Sequence, residues 1–72
     1  MTITEIIEAA GGDLEVAYHL GPMHTHTVER WPKSGIPKKH WDGIIALAAA
    51  RGVTITVQDI WNANKAAETK AA

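Results

Sequence analysis

Apolar and polar positions in this chain recur mostly with a helical period. Ile3, Ile6, Ile7 and Ala10 follow one another at spacings of three and four, the pattern of a helix with one buried face. Thr2-Ile3-Thr4-Glu5 ahead of them reads as a capping box, in which the threonine oxygen and the glutamate carboxylate reciprocally satisfy N–H groups that a helix start leaves unpaired. Gly11-Gly12 stops this first helix. A second helix of about two turns begins from Asp13 as N-cap, with Leu14, Ala17 and Leu20 as its apolar stripe, Val16 beside it and Gly21-Pro22 closing it.

A third short helix is capped by His24 or Thr25 and turns Val28 and Trp31 inward. Pro32 is expected to end it, because the residue before a proline disfavours helical backbone, and Lys33-Ser34-Gly35 reads as a loop. Pro37 suits the first position of a fourth helix, whose inner face is marked by Trp41, Ile44, Ile45, Ala48 and Ala49 and whose end is Gly52. Val53-Thr54-Ile55 is a short extended link. Thr56 caps the fifth helix with Asp59 three residues on, and Ile55 is placed to pack on Ile60 across that cap. Ile60 and Trp61 are the last large apolar residues. The folded domain is therefore expected over residues 1–64, with fraying over 65–72. The predicted fold class is all-α, a compact five-helix bundle with no repeat and no linker.

Composition narrows the chemistry. With 72 residues, 46% of them hydrophobic, the chain supports one small core of marginal stability. It has no cysteine, so disulfides and thiolate metal sites are excluded. His24 and His26 invite a zinc hypothesis, but His19 and His40 lie in other segments, and no metal is expected without a tetrahedral ligand set. There is no cysteine nucleophile, no glycine-rich phosphate loop and no obvious carboxylate pair, and the domain is too small for a deep cleft, so neither an enzyme nor a cofactor is expected. No apolar run approaches the roughly 20 residues that cross a bilayer. Glu5 and Glu8 do not fit a signal peptide. A cytoplasmic protein without membrane contact is the expectation.

The formal charge of −1 does not suggest a nucleic-acid partner, but its distribution does. The first 18 residues carry Glu5, Glu8, Asp13 and Glu15 and no cation, whereas Leu20–His40 carries Arg30, Lys33, Lys38 and Lys39 against Glu29 alone. Such asymmetry orients a small protein on a phosphate backbone even when its net charge is near zero. The second and third helices, joined by a glycine-bearing turn, also have the layout of a helix-turn-helix unit. Ala17 is small enough for the next helix to cross closely, and Gly21 is placed to take the positive φ of the turn.

Ala17-Tyr18-His19-Leu20-Gly21 followed by Thr27-Val28-Glu29-Arg30-Trp31 resembles the A-x-x-L-G … T-V-x-x-W pattern of Cro/cI-type repressors. Gly35-Ile36-Pro37, His40-Trp41, Ile44 and Ala48 are similar to the small carph-isopro and YdaS-like phage regulators, which carry G-x-I-P-x-x-H-W after the recognition helix. The resemblance spans roughly residues 8 to 62. It implies a five-helix all-α fold, sequence-specific binding of double-stranded operator DNA and homodimers. The stretch from Leu20 to Val28 is one residue longer than is usual there, with Pro22-Met23-His24 in the turn, which leaves His24, Thr25 and His26 as alternatives for the residue facing a base.

Residue chemistry then divides the basic segment. Arg30 is the best base reader, because its fork bonds guanine O6 and N7 together, and Thr25, His26 and Thr27 can reach base edges beside it. Lys33, Ser34, Lys38 and Lys39 suit phosphates. Trp31 and Trp41 belong to the core by their periodic placement. Trp61, with Ile60, is the candidate dimer interface. A different class of function, a protein-binding module on the same fold, is motivated by the acidic first helix and by Trp61.

Overall fold

A computed structural model describes residues 1–21 and 23–71, with side chains through residue 67. Its helices are α1 (Ile3–Ala9), α2 (Asp13–Leu20), α3 (Thr25–Glu29), α4 (Trp31–Ser34), α5 (Trp41–Ala50) and α6 (Val57–Ala71), with a 3₁₀ turn over Lys38–His40. There is no strand among the described residues. The fold is all-α and compact, and if α3 and α4 are taken as two halves of one interrupted unit its helices number five. Pro22, expected to close α2 with Gly21, lies outside the described residues.

The local start signals work as the sequence predicts. Glu5 N–H donates to Thr2 Oγ1 at 3.1 Å while Thr2 N–H donates to Glu5 Oε1 at 2.9 Å. The same reciprocal pair recurs at Thr56 and Asp59, at 3.1 and 3.0 Å. Ile55 and Ile60 are both buried in the core across that second cap. The core gathers Ile3, Ile6 and Ile7 of α1, Val16 and Ala17 of α2, Val28, Trp31, Ile36, Trp41, Ile44 and Ala48, and is closed by Ile60, Ala63 and Ala67 of α6. The expected boundary at Asn64 falls inside α6, where small alanines 63 and 67 fit against the bundle and are buried.

Several sequence expectations are corrected. Gly12, not Asp13, is the N-cap of α2. Leu14 is not on its inner face: it is 73% exposed, and the buried arc is Val16 and Ala17 with Leu20 packed beside them. Gly21 does not take a positive φ, its backbone lying at φ −105°. Glycine is needed there for space, since a Cβ would collide with the Met23 backbone nitrogen and lie 2.8 Å from the Ala17 carbonyl oxygen. Pro32 does not end the helical run. The helical run is interrupted at Arg30, which caps α3 and starts α4 with its backbone still in the helical region. Pro32 falls in the first turn of α4, where its missing N–H leaves no bond unmade. Lys33-Ser34 is therefore helical, and Gly35 N–H closes α4 on the Trp31 carbonyl at 2.8 Å. Pro37 is outside the fourth predicted helix: its ψ of 136° is extended, and the 3₁₀ turn leads into α5. Ala49 faces solvent, while Ile45 and Leu47 are partly buried.

Candidate nucleic-acid interface

α2 packs on α3, and α3 carries its only buried side chain, Val28, in its C-terminal half. Being five residues long, α3 could not hold its shape without that contact. Thr25 is half-buried, and His26, Thr27 and Glu29 face outward with Arg30 just beyond them. Thus three of the four predicted base readers are open to solvent and Thr25 is partly withdrawn. His26 Nδ1 lies 3.2 Å from Glu29 Oε2. Glu29 thereby engages the histidine, and Arg30 has no carboxylate partner among the described residues. Its guanidinium is a solvated, uncommitted fork at the end of the exposed face.

The segment after Arg30, made of α4, a short extended link and the 3₁₀ turn, closes on itself. Trp31 at its start is buried, and His40 at its end stacks on the Trp31 ring with centroids 5.5 Å apart and planes 30° from parallel. Lys33 on α4, and Lys38 and Lys39 on the 3₁₀ turn, are all exposed along this segment. The predicted phosphate cations are thus carried by one closed unit. Burial, followed by the charge of Lys39, holds the His40 imidazole below its ordinary pKa. Ser34 is a weaker phosphate donor than its type suggests: its hydroxyl donates to the Arg30 carbonyl at 3.1 Å and lies 3.4 Å from the Gly35 carbonyl.

The segment's midpoint is fixed from α6. Ile36 N–H donates to Asn64 Oδ1 at 2.8 Å, and Asn64 Nδ2 donates to the Ile36 carbonyl at 2.9 Å. That carbonyl also accepts from Trp41 Nε1 at 2.8 Å. The buried loop residue Ile36 therefore has both backbone groups paired, as a residue withdrawn from water requires. Nothing in local spacing pointed to Asn64. The one available hint was an amide among alanines inside a helix, a position where asparagine is a poor choice unless its side chain has a partner.

On the outer face of α6, Val57 and Trp61 are 52% and 48% exposed. Lys65 Nζ lies 4.9 Å above the Trp61 ring, and an open cleft of about 260 Å³ runs between Trp41, Trp61, Asn64 and Lys65. Ile60 is fully buried in the chain's own core. This corrects its pairing with Trp61 as an interface residue: neighbouring residues on a helix point about 100° apart, so only Trp61 reaches the surface. No group of three or more His, Asp or Glu side chains among the described residues is arranged to hold a metal ion. No described helix is long and apolar enough to cross a membrane. No protein-family model, curated protein or solved structure matches the chain.

Proposed function

We propose that this chain is a sequence-specific double-stranded DNA-binding transcription regulator, a repressor of the phage type that acts as a homodimer in the cytoplasm of a bacterial host. The observation that carries the reading is the uncommitted Arg30 at the end of the exposed α3 face, followed directly by the segment that displays Lys33, Lys38 and Lys39. In this reading α2 and α3 act as a helix-turn-helix, α3 lies against the major groove, and those cations hold the flanking phosphates. The reading is one of binding, without catalysis and without a cofactor. Val57 and Trp61 on α6 supply the face for the second copy.

Mobility-shift titration against duplexes selected from random DNA tests this. Wild-type affinity falls steeply with added salt, because each neutralised phosphate releases counterions. Arg30→Ala costs about 1–3 kcal/mol on the selected site and relaxes discrimination at one base pair, whereas Lys38→Ala weakens every duplex alike and lowers the salt slope by about one. If no duplex is preferred over bulk DNA at physiological salt, the reading fails. A second reading, a protein-binding regulator on the same fold, is favoured by the outward Leu14 and Tyr18 on α2 together with Trp61. It predicts a partner captured in nuclease-treated extract whose binding is indifferent to Lys33, Lys38 and Lys39.

A further inference from the structure

We infer that Asn64 is a positioning residue of the DNA-contacting surface: from α6 it fixes the loop that sets where Lys33, Lys38 and Lys39 stand relative to one another. The inference rests on the DNA-binding reading and adds to it a residue that touches no DNA.

The segment from Trp31 to His40, α4 followed by the loop into the 3₁₀ turn, is closed at its ends by the stack of His40 on Trp31. Between those ends its backbone is tied to the rest of the molecule at Ile36, where Asn64 offers one acceptor and one donor to the N–H and C=O of the same residue. This is the two-point pairing that a neighbouring strand would provide, supplied by a single amide 28 residues away in sequence. Gly35 completes the fit. Its φ of +94° is a conformation that other residues rarely adopt, and a Cβ there would lie 3.4 Å from the Asn64 carboxamide. Trp41 anchors the same carbonyl from the other side. Ile36 is thus held on two sides, with Lys33 three residues before it and Lys38 two residues after.

Phosphate contacts act by register, since each cation must meet a phosphate whose position the others have already set. A loop ordered before binding avoids the entropy cost of ordering it on DNA. Without Asn64, Lys38 and Lys39 remain charged and exposed but no longer hold a fixed spacing from Lys33, so fewer of them engage phosphates together. A role confined to stability predicts something different, a lower melting temperature with the folded protein binding as before.

The test compares wild-type chain with Asn64→Ala and Asn64→Asp, the latter retaining an acceptor for Ile36 N–H and losing the donor to its carbonyl. In the free proteins, hydrogen exchange at Ile36 N–H is read at a temperature where circular dichroism shows each variant folded. It is expected to quicken by about tenfold or more in Asn64→Ala and by less in Asn64→Asp. On the selected duplex, the slope of log affinity against log salt is expected to fall by about 0.9 to 1.8, equivalent to one or two lost phosphate contacts. The preference for the selected site over a single-base variant at the Arg30 position stays as in wild type. An unchanged salt slope in a folded Asn64 variant overturns the inference and leaves the DNA-binding reading standing. A wild-type chain that prefers no duplex overturns both. If Asn64→Ala does not fold, hydrogen exchange at Ile36 together with the salt slope of Asn64→Ser carries the comparison, since that variant adds no charge and is too short to bridge both backbone groups of Ile36. An unprotected Ile36 amide in the wild-type chain overturns the inference by itself.

Discussion

Thr2 and Thr56 each exchange a pair of hydrogen bonds with the acidic residue three positions on, one of them donated to its carboxylate, and this makes the two helix starts sensitive to acid. Glu5 and Asp59 are held below their ordinary pKa values, first by the backbone N–H of Thr2 or Thr56 and then by the hydroxyl of the same threonine. Both bonds favour the charged form. The folded chain therefore releases these protons more readily than the unfolded chain, and as pH falls the unfolded state takes them up first. The stability contributed by the two carboxylates is complete above the ordinary carboxylate range, about pH 4 to 5, and is lost as pH drops through the lowered folded values. Thermal unfolding followed across pH 2.5 to 7, on the order of eight buffers, is expected to give a flat neutral limb and a falling acid limb. In the double variant Glu5→Gln, Asp59→Asn the neutral limb starts lower and the acid limb is shallower. Equal acid limbs in the two proteins would show that other carboxylates control acid unfolding. Both caps were legible in the sequence, since each is a local spacing of three between residue types that have little else to do there. His40 was not legible in this way: its stack on Trp31 joins residues nine apart across a segment that the local rules read wrongly.

At the scale of elements, the contact between α2 and α5 turns on the absence of a side chain. A Cβ added at Gly43 would collide with Leu20 Cδ2, and Leu20 Cγ would lie 3.5 Å from it. Glycine inside a helix normally costs about 1 kcal/mol relative to alanine, so Gly43→Ala would ordinarily be stabilising. Here the obstructing atom is the tip of the partly buried Leu20 side chain, which can turn aside, so the helix gain is offset by a rotamer cost of about 0.5–1.5 kcal/mol. Gly43→Ala is therefore expected to leave the melting temperature within about 4 °C of wild type, at about 4–8 °C per kcal/mol in a domain of this size. In a Leu20→Ala background, where the obstructing side chain is gone, the same substitution is expected to raise it. An equal rise in both backgrounds would mean that Leu20 yields at no cost. The sequence showed that α2 and α5 exist, because their apolar residues recur, but it misassigned the inner face of α2. Leu14, Ala17 and Leu20 and the trio Val16, Ala17 and Leu20 both read as helical stripes. At about 100° per residue, Leu14 stands roughly 110° from the centre of the second trio, and one core cannot bury both. The interruption at Arg30 was missed for a related reason. A proline is an ending when it follows helix and a beginning when it falls in a first turn, and which applies depends on whether Trp31 can be buried.

Across the whole molecule, what escaped the sequence is what joins distant segments: Asn64 with Ile36, Gly43 with Leu20, and the full burial of Ile60 beside an exposed Trp61. Each depends on how helices cross, which periodicity does not encode. Molecular size, by contrast, bears directly on how the proposed regulator would meet DNA. The backbone measures 32 × 25 × 18 Å and displays a single α3. Successive major-groove faces on one side of a duplex are about 34–36 Å apart, slightly more than the longest dimension of the chain. In the proposed function one copy would read one groove, and two copies set on adjacent grooves would touch only through an outward face such as that of Val57 and Trp61. The proposed homodimer thus makes a prediction about the DNA rather than about the protein alone. Selection from random duplexes should return an inverted repeat with half-sites about 10–10.5 base pairs apart, centre to centre. Trp61→Gln, which removes an exposed ring and leaves the core intact, should return single half-sites of unchanged sequence, with sedimentation shifted to the mass of one chain. If wild type and Trp61→Gln select the same inverted repeat, the second copy docks elsewhere. If wild type selects a lone half-site, the chain acts on DNA as a monomer, and the exposed face of α6 has another use.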